Sequence, residues 1–182
     1  MISCELRRIS GLSPSEISTY IDKAARNVVQ YYVVNNLRIA TAESCTGGML
    51  ASSITSVSGA SEMFECGLVT YSERIKSELL GIPRSFITEF GVVSDEVALA
   101  MARGVLEKSG ADVGIGITGI AGPTGGTAAQ PVGTIYVSVV TKGKEITENL
   151  ALSEPESGVD VRLRNRLMAV LYSLETALEI LE

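Results

Sequence analysis

The side chains best placed to do chemistry are Ser44, Cys45 and Thr46, in the segment Thr41-Ala42-Glu43-Ser44-Cys45-Thr46-Gly47-Gly48. An apolar run at residues 37–40 precedes the segment, and the helix-like Met49-Leu50-Ala51-Ser52-Ser53-Ile54 follows. A strand therefore ends in a turn that delivers two hydroxyls and a thiol to a helix N-terminus. Unpaired backbone N–H groups and the positive end of the helix dipole hold an anion or an oxyanion at such a place. Ser44 and Cys45 are the candidate nucleophiles there. The chain contains no histidine. A base that activates either residue must be a lysine, a carboxylate, a tyrosine or the chain terminus. Ser-His-Asp, Cys-His and HExxH chemistries are thereby excluded.

Tyr71-Ser72-Glu73-Arg74-Ile75-Lys76 offers such a base. Ser72 caps the following helix, which puts Lys76 about one turn in, near the positive end. The dipole and Arg74 both disfavour a second positive charge, so the lysine pKa falls. A lowered lysine pKa suits a Ser–Lys dyad. Plainer readings stand beside these: Ser44 or Thr46 as a helix N-cap, Cys45 as a small core residue, Lys76 as a solvated surface cation.

A further chemical feature is the loop at residues 119–127, with four glycines and one proline. Glycine lets a backbone approach a ligand closely and turn N–H groups toward it. The loop leaves the C-terminal end of a strand, where open α/β sheets place their ligands. Gly114-Ile115-Gly116-Ile117-Thr118-Gly119 matches the letters of a dinucleotide fingerprint, but its first two glycines lie inside the strand. Close helix packing explains them better.

The elements that must position these residues follow from periodicity. Ser13-Pro14 with Glu16 opens a helix that runs to about residue 35, with Ile17, Ile21, Ala24, Ala25, Val28 and Val29 on its apolar face. Strands are predicted at residues 37–41, 64–71 and 113–118, and a hairpin at 132–141 and 146–152 across Lys142-Gly143-Lys144. Helices are predicted from Met49 to about residue 58, over 73–80 before Gly81 and Pro83, over 95–109 before Gly110, and from about 160 to 181. Alternating strands and helices with a late hairpin indicate a single-domain three-layer α/β/α sandwich. Its sheet is mostly parallel with one antiparallel strand. Residues 1–36 read as an N-terminal extension and helix of the same domain, and residues 37–182 as the catalytic part.

The bulk numbers fit this. The chain has 182 residues, 46% hydrophobic and 20% charged, enough for one domain with a full core. A net charge of −6 argues against nucleic-acid or acidic-membrane partners. No apolar stretch is long enough to span a bilayer. Cys4, Cys45 and Cys66 are irregularly spaced and form neither a disulfide framework nor a metal motif. The expectation is a cytoplasmic protein without metal or cofactor, acting on a small molecule and compatible with a homo-oligomer.

Taken together, the segments resemble the CinA C-terminal domain family, the nicotinamide mononucleotide (NMN) deamidases also called PncC. The matching segments are residues 41–48, Gly67-Leu68-Val69-Thr70-Tyr71-Ser72 with Lys76, and Gly91-Val92-Val93-Ser94. Thr118-Gly119-Ile120-Ala121-Gly122-Pro123 with Gly125-Gly126, and Pro131-Val132-Gly133-Thr134, complete the set. The resemblance implies metal-free hydrolysis of the NMN carboxamide to nicotinic acid mononucleotide and ammonia. By position it implies Ser44 as nucleophile, Lys76 as base, and Tyr71 and Thr118 completing the hydrogen bonding. Cys45, Thr46, Gly47, Gly48, Gly119, Ala121 and Gly122 would line the nucleotide site. The family's Gly-Asp-Arg stands here as Gly158-Val159-Asp160. Arg164 aligns with the next family arginine and is expected to hold the phosphate, with Asp160 as its partner and Arg162 turned away. A nucleotide-binding module without turnover and a Cys45-based amidase are the alternatives.

Overall fold

The computed structural model describes residues 12–152 and 158–182; Cys4 lies outside them. Helix α1 (Pro14–Val34) starts on a reciprocal cap. The Ser13 hydroxyl accepts from the Glu16 N–H at 3.3 Å, and the Glu16 carboxylate accepts from the Ser13 N–H at 2.8 Å. The remaining elements are β1 (Ile39–Glu43), α2 (Met49–Thr55), a 3-10 turn (Ala60–Glu62), β2 (Phe64–Val69), α3 (Glu73–Leu80) and α4 (Arg84–Phe90). They continue with α5 (Asp95–Ser109), β3 (Val113–Gly119), β4 (Ile135–Val140), β5 (Glu145–Asn149) and α6 (Val161–Glu179).

The sheet order is β2-β1-β3-β4-β5, with β1 parallel to both β2 and β3. Strand β4 runs antiparallel to its neighbours β3 and β5, so it alone opposes the common direction. This is the expected three-layer sandwich. One core joins α1, α2 and α6 to Ile39, Val113, Ile115 and Ile117 of the sheet. The other joins α5 and the α3–α4 region to Ala40 and Ala42.

Strand alternation between these faces decides the site. In β1, Ile39 points to the α1/α6 side and Ala40 and Ala42 to the α5 side. Continuing the period, Glu43 faces α2, and Ser44 faces α3. In β3, Gly114 and Gly116 turn to α5, where a Cβ would run into the carbonyls of Ala102 and Ala98. Those glycines buy a close helix–sheet approach and are not a dinucleotide loop. Thr118 continues their face.

Sequence periodicity misses α4, a short helix begun by Pro83 with no side-chain cap. It also ends β1 two residues early, because Glu43 is polar yet fully paired in the ladder. Charge at a strand's end is invisible to an apolar pattern.

Candidate active site

Residues 44–48 form the turn between β1 and α2. Gly47 and Gly48 have φ of 63° and 92°, the left-handed region that favours glycine, and together they reverse the chain into the helix. The Ser44 N–H stays bonded to the Ile117 carbonyl at 3.0 Å, so its backbone is locked to β3.

Lys76 reaches this turn from the first turns of α3. Ser72 caps that helix, accepting from the Ile75 N–H at 3.3 Å. The Lys76 side chain is fully buried. Its ammonium lies 3.1 Å from the Ser44 hydroxyl oxygen and donates to the Thr70 carbonyl at 2.7 Å. Burial pushes its pKa down from 10.5 to about 8, against weaker opposing pulls from Cys45 and Glu73. Arg74 plays no part, contrary to the sequence argument; it turns outward to Glu78.

Cys45 is buried on the same turn. Burial pushes its thiol up to about 11, although Lys76, Arg162 and Arg166 pull the other way. At neutral pH it is a thiol and a poor nucleophile, which weighs against the Cys45 alternative. Cys66 is half-buried in β2.

The helix N-terminus is not open to a ligand. The Glu43 carboxylate, 1% exposed, accepts from the N–H groups of Gly48 at 3.0 Å, Leu50 at 3.1 Å and Ala51 at 2.9 Å. The Gly47 N–H bonds the Ser44 carbonyl at 3.1 Å. Gly47 and Gly48 are therefore turn-formers with occupied amides. The Thr46 N–H meets no protein acceptor among the described residues, and the Cys45 N–H meets only the thiol of its own residue.

Thr118 is buried, and its hydroxyl donates to the Val92 carbonyl at 2.7 Å. Gln130 donates to the neighbouring Val93 carbonyl at 2.8 Å, so the loop after β3 and the loop before α5 are tied together. Tyr71 is 62% exposed, with its hydroxyl oxygen 3.4 Å from an Arg162 nitrogen.

Helix α6 closes the site. Arg162 donates to the Gly122 carbonyl at 2.9 Å, Asn165 to the Ala121 carbonyl at 3.2 Å, and Arg166 to the Thr46 carbonyl at 2.6 Å. The glycine loop thus meets α6 through carbonyls; Gly119 itself pairs with Ile135 in the ladder. Beyond it lies a cleft of about 730 Å³ walled by Gln130, Thr134, Tyr136 and Asn149, away from Ser44.

Arg164 does not share the face of Arg162. It is buried and donates to the Asn165 side-chain oxygen at 3.0 Å. Asp160 is the N-cap of α6, accepting from the Leu163 N–H at 3.0 Å. Counting helical offsets from Asp160 fails because a cap lies outside the helix. The offset that matters is Arg162 to Arg166, four residues along one face. That spacing was readable in the sequence, whereas the sequence reading gave Glu43 no role.

Lys76, Arg162 and Arg166 surround Cys45, and none is ion-paired among the described residues. They concentrate positive charge locally in a chain of net charge −6. Among the described residues no three Cys, Asp or Glu side chains gather as a metal-binding group. None of the described helices is long and apolar enough to cross a membrane.

Fold and site define an α/β/α domain with a buried serine–lysine pair beneath an arginine-bearing helix. The CinA C-terminal domain family matches residues 21–180, and the chain belongs to that family. A protein of Enterobacter agglomerans named nicotinamide-nucleotide amidohydrolase PncC is 44% identical over 141 residues, covering 77% of this chain and 82% of that one. A CinA-like protein of Akkermansia muciniphila is 46% identical over 150 residues, 81% of this chain and 35% of that protein. The chain spans a little over a third of that relative and of a CinA-like protein from Kosmotoga olearia, of which it covers 39%. Among solved structures, the competence/damage inducible protein CihA from Agrobacterium tumefaciens superposes with a TM-score of 0.84 at 34% identity, covering 90% of this chain and 96% of that one.

Proposed function

We propose that the protein hydrolyses the carboxamide of nicotinamide mononucleotide to nicotinic acid mononucleotide and ammonia. The observation that carries the reading is the fully buried Lys76, 3.1 Å from the Ser44 hydroxyl, with its pKa near 8. A lysine in that state accepts a proton near neutral pH. Resemblance to the Enterobacter agglomerans amidohydrolase supplies the substrate class.

In this mechanism neutral Lys76 takes the Ser44 proton as the oxygen attacks the amide carbon. The Thr70 carbonyl keeps the amine aimed at Ser44. The amides of Cys45 and Thr46 hold the oxyanion. Protonated Lys76 then returns its proton to the leaving nitrogen and ammonia departs. Water, deprotonated by the same amine, hydrolyses the acyl-enzyme. Thr118 holds the Val92 loop against the site. Arg162, with Tyr71 beside it, takes the substrate phosphate, and Arg166 adds to the positive field. The reaction draws on no metal.

The test is ammonia release from NMN by purified protein before and after exhaustive EDTA treatment. Equal release in both, lost in Ser44→Ala, is expected. Release that disappears with EDTA and returns with a divalent cation would falsify the serine–lysine reading. Binding of NMN without release would leave the nucleotide-binding module as the function.

A further inference from the structure

Glu43 is a buried carboxylate beside Ser44, and the reaction gives it no role. Its carboxylate sits one residue before the nucleophile, on the opposite face of β1, with three N–H donors from the first turn of α2. Burying an ionised carboxylate is costly unless such donors replace its water. The donors here are fixed amides at a helix N-terminus, which also supplies a favourable dipole. The same carboxylate thus fills the helix terminus that would otherwise bind an external anion.

This arrangement has a mechanical consequence. Ser44 is held to β3 through the Ile117 carbonyl, and Glu43 holds α2 at Gly48, Leu50 and Ala51. The turn between them is clamped at both ends, and Arg166 fixes its middle through the Thr46 carbonyl at 2.6 Å. The Cys45 and Thr46 N–H groups lie within the clamped span, with no acceptor from another described residue. We propose that Glu43 is a positioning residue that holds the Ser44 turn so that these two amides converge on the oxyanion. This rests on the reading of Ser44 as the nucleophile, but not on the identity of the substrate.

Gln has the shape of Glu but only one acceptor oxygen. In Glu43→Gln, the carbonyl end can serve Gly48 and Leu50, which turns the NH2 end toward the Ala51 N–H, donor against donor. The alternative orientation sets the NH2 against two donors. Either way α2 shifts relative to β1 and takes the turn with it, and a misplacement of about 1 Å costs about a hundredfold in rate.

The experiment uses a fluorophosphonate probe, which reports on nucleophile and oxyanion site without assuming a substrate. The Ser44 oxygen bonds phosphorus, fluoride leaves, and the serine proton passes to Lys76. Labelling rates are measured for the wild type, Glu43→Gln and Glu43→Asp, with peptide mapping of the label and thermal melts to establish folding. Asp keeps the charge but draws it back by about 1.5 Å, one bond length of chain, so it serves if the Gln variant does not fold. Expected are wild-type labelling at Ser44 and at least tenfold slower labelling in a folded variant. With NMN as substrate, kcat should fall in parallel, KM should stay within about twofold, and the pH midpoint should stay near that of the wild type. A folded variant labelled within twofold of wild type overturns the positioning role, as does a wild type that is not labelled at Ser44. Wild-type labelling without NMN turnover overturns the substrate assignment alone, and the variant labelling rates still decide the role of Glu43.

Discussion

Replacing Lys76 by methionine should abolish turnover and stabilise the protein at neutral pH, with the two effects sharing one cause. Lysine falls from 10.5 to about 8 on burial. At about 1.4 kcal/mol per pH unit, the folded state carries a penalty of about 3 kcal/mol for holding the ammonium charged. Methionine has a similar length and no charge, so it removes that penalty. It also leaves the Thr70 carbonyl without its 2.7 Å partner, a loss of about 1 kcal/mol. The net gain at pH 7 is about 2 kcal/mol, or roughly 4–8 °C in Tm for a chain of this size. The sign reverses with pH. Between about 8 and 10.5 the unfolded lysine binds more proton than the folded one, so wild-type stability rises relative to the variant across that window. By pH 10.5 most of the penalty is gone, and the lost hydrogen bond should leave the variant about equal or slightly less stable. Urea unfolding of both proteins from pH 6.5 to 10.5 measures the difference directly. Parallel stability curves, or a variant less stable than wild type at pH 7, would refute the reasoning.

The rate of NMN hydrolysis should rise with pH through an apparent pKa near 8, the value at which Lys76 becomes the free base. Lys76→Arg should be as inactive as Lys76→Met, because a guanidinium stays protonated. Ser44→Ala should lower kcat by about a thousandfold or more, whereas Cys45→Ser should stay within about tenfold, since its thiol is not ionised at neutral pH; the opposite ranking in steady-state assays would reassign the nucleophile. Arg162→Ala should weaken NMN binding by about ten- to a hundredfold in calorimetry and leave the phosphate-free nucleoside nearly unchanged. Arg164→Ala, at a buried position, should instead lower Tm and affect both ligands alike.

Most of the sandwich was legible because its helices carry strong end signals. Ser13 with Glu16, Ser72, Ser94 and the glycines at 81 and 110 bracket α1, α3 and α5 where periodicity puts them. The short α4 has no side-chain cap, so it was not legible. At the site, Ser44 and Lys76 were legible because residue type and flanking elements alone define a turn and a capped helix. The depth of Lys76 was not, since nothing in Glu73-Arg74-Ile75-Lys76 says that its fourth residue points inward; burial sets the pKa that was credited to the helix dipole and Arg74. Arg164 was misjudged for a similar reason. Residues 162, 164 and 166 are the same type at even spacing, and only the packing of α6 shows that two reach the loops while the middle one is buried.

The arrangement also explains how a chain without histidine divides two jobs that a single cation would do badly. A lysine that gripped the substrate's anionic group would be held protonated by it and could not act as a base. In the proposed site the charges assigned to the anion are arginines, which stay protonated, and they come from α6 on the far side of the Ser44 turn. Lys76 comes from α3 and is bonded to a backbone carbonyl and the Ser44 hydroxyl, with no carboxylate ion-paired to it among the described residues. Glu43, the one acid in the immediate chain, turns away from both and spends its charge on the α2 amides. Separation by strand alternation, Glu43 to one face and Ser44 to the other, keeps that carboxylate from pairing with Lys76 and raising its pKa back toward 10.5. A two-residue periodicity in β1 thereby protects the free amine on which the proposed chemistry depends.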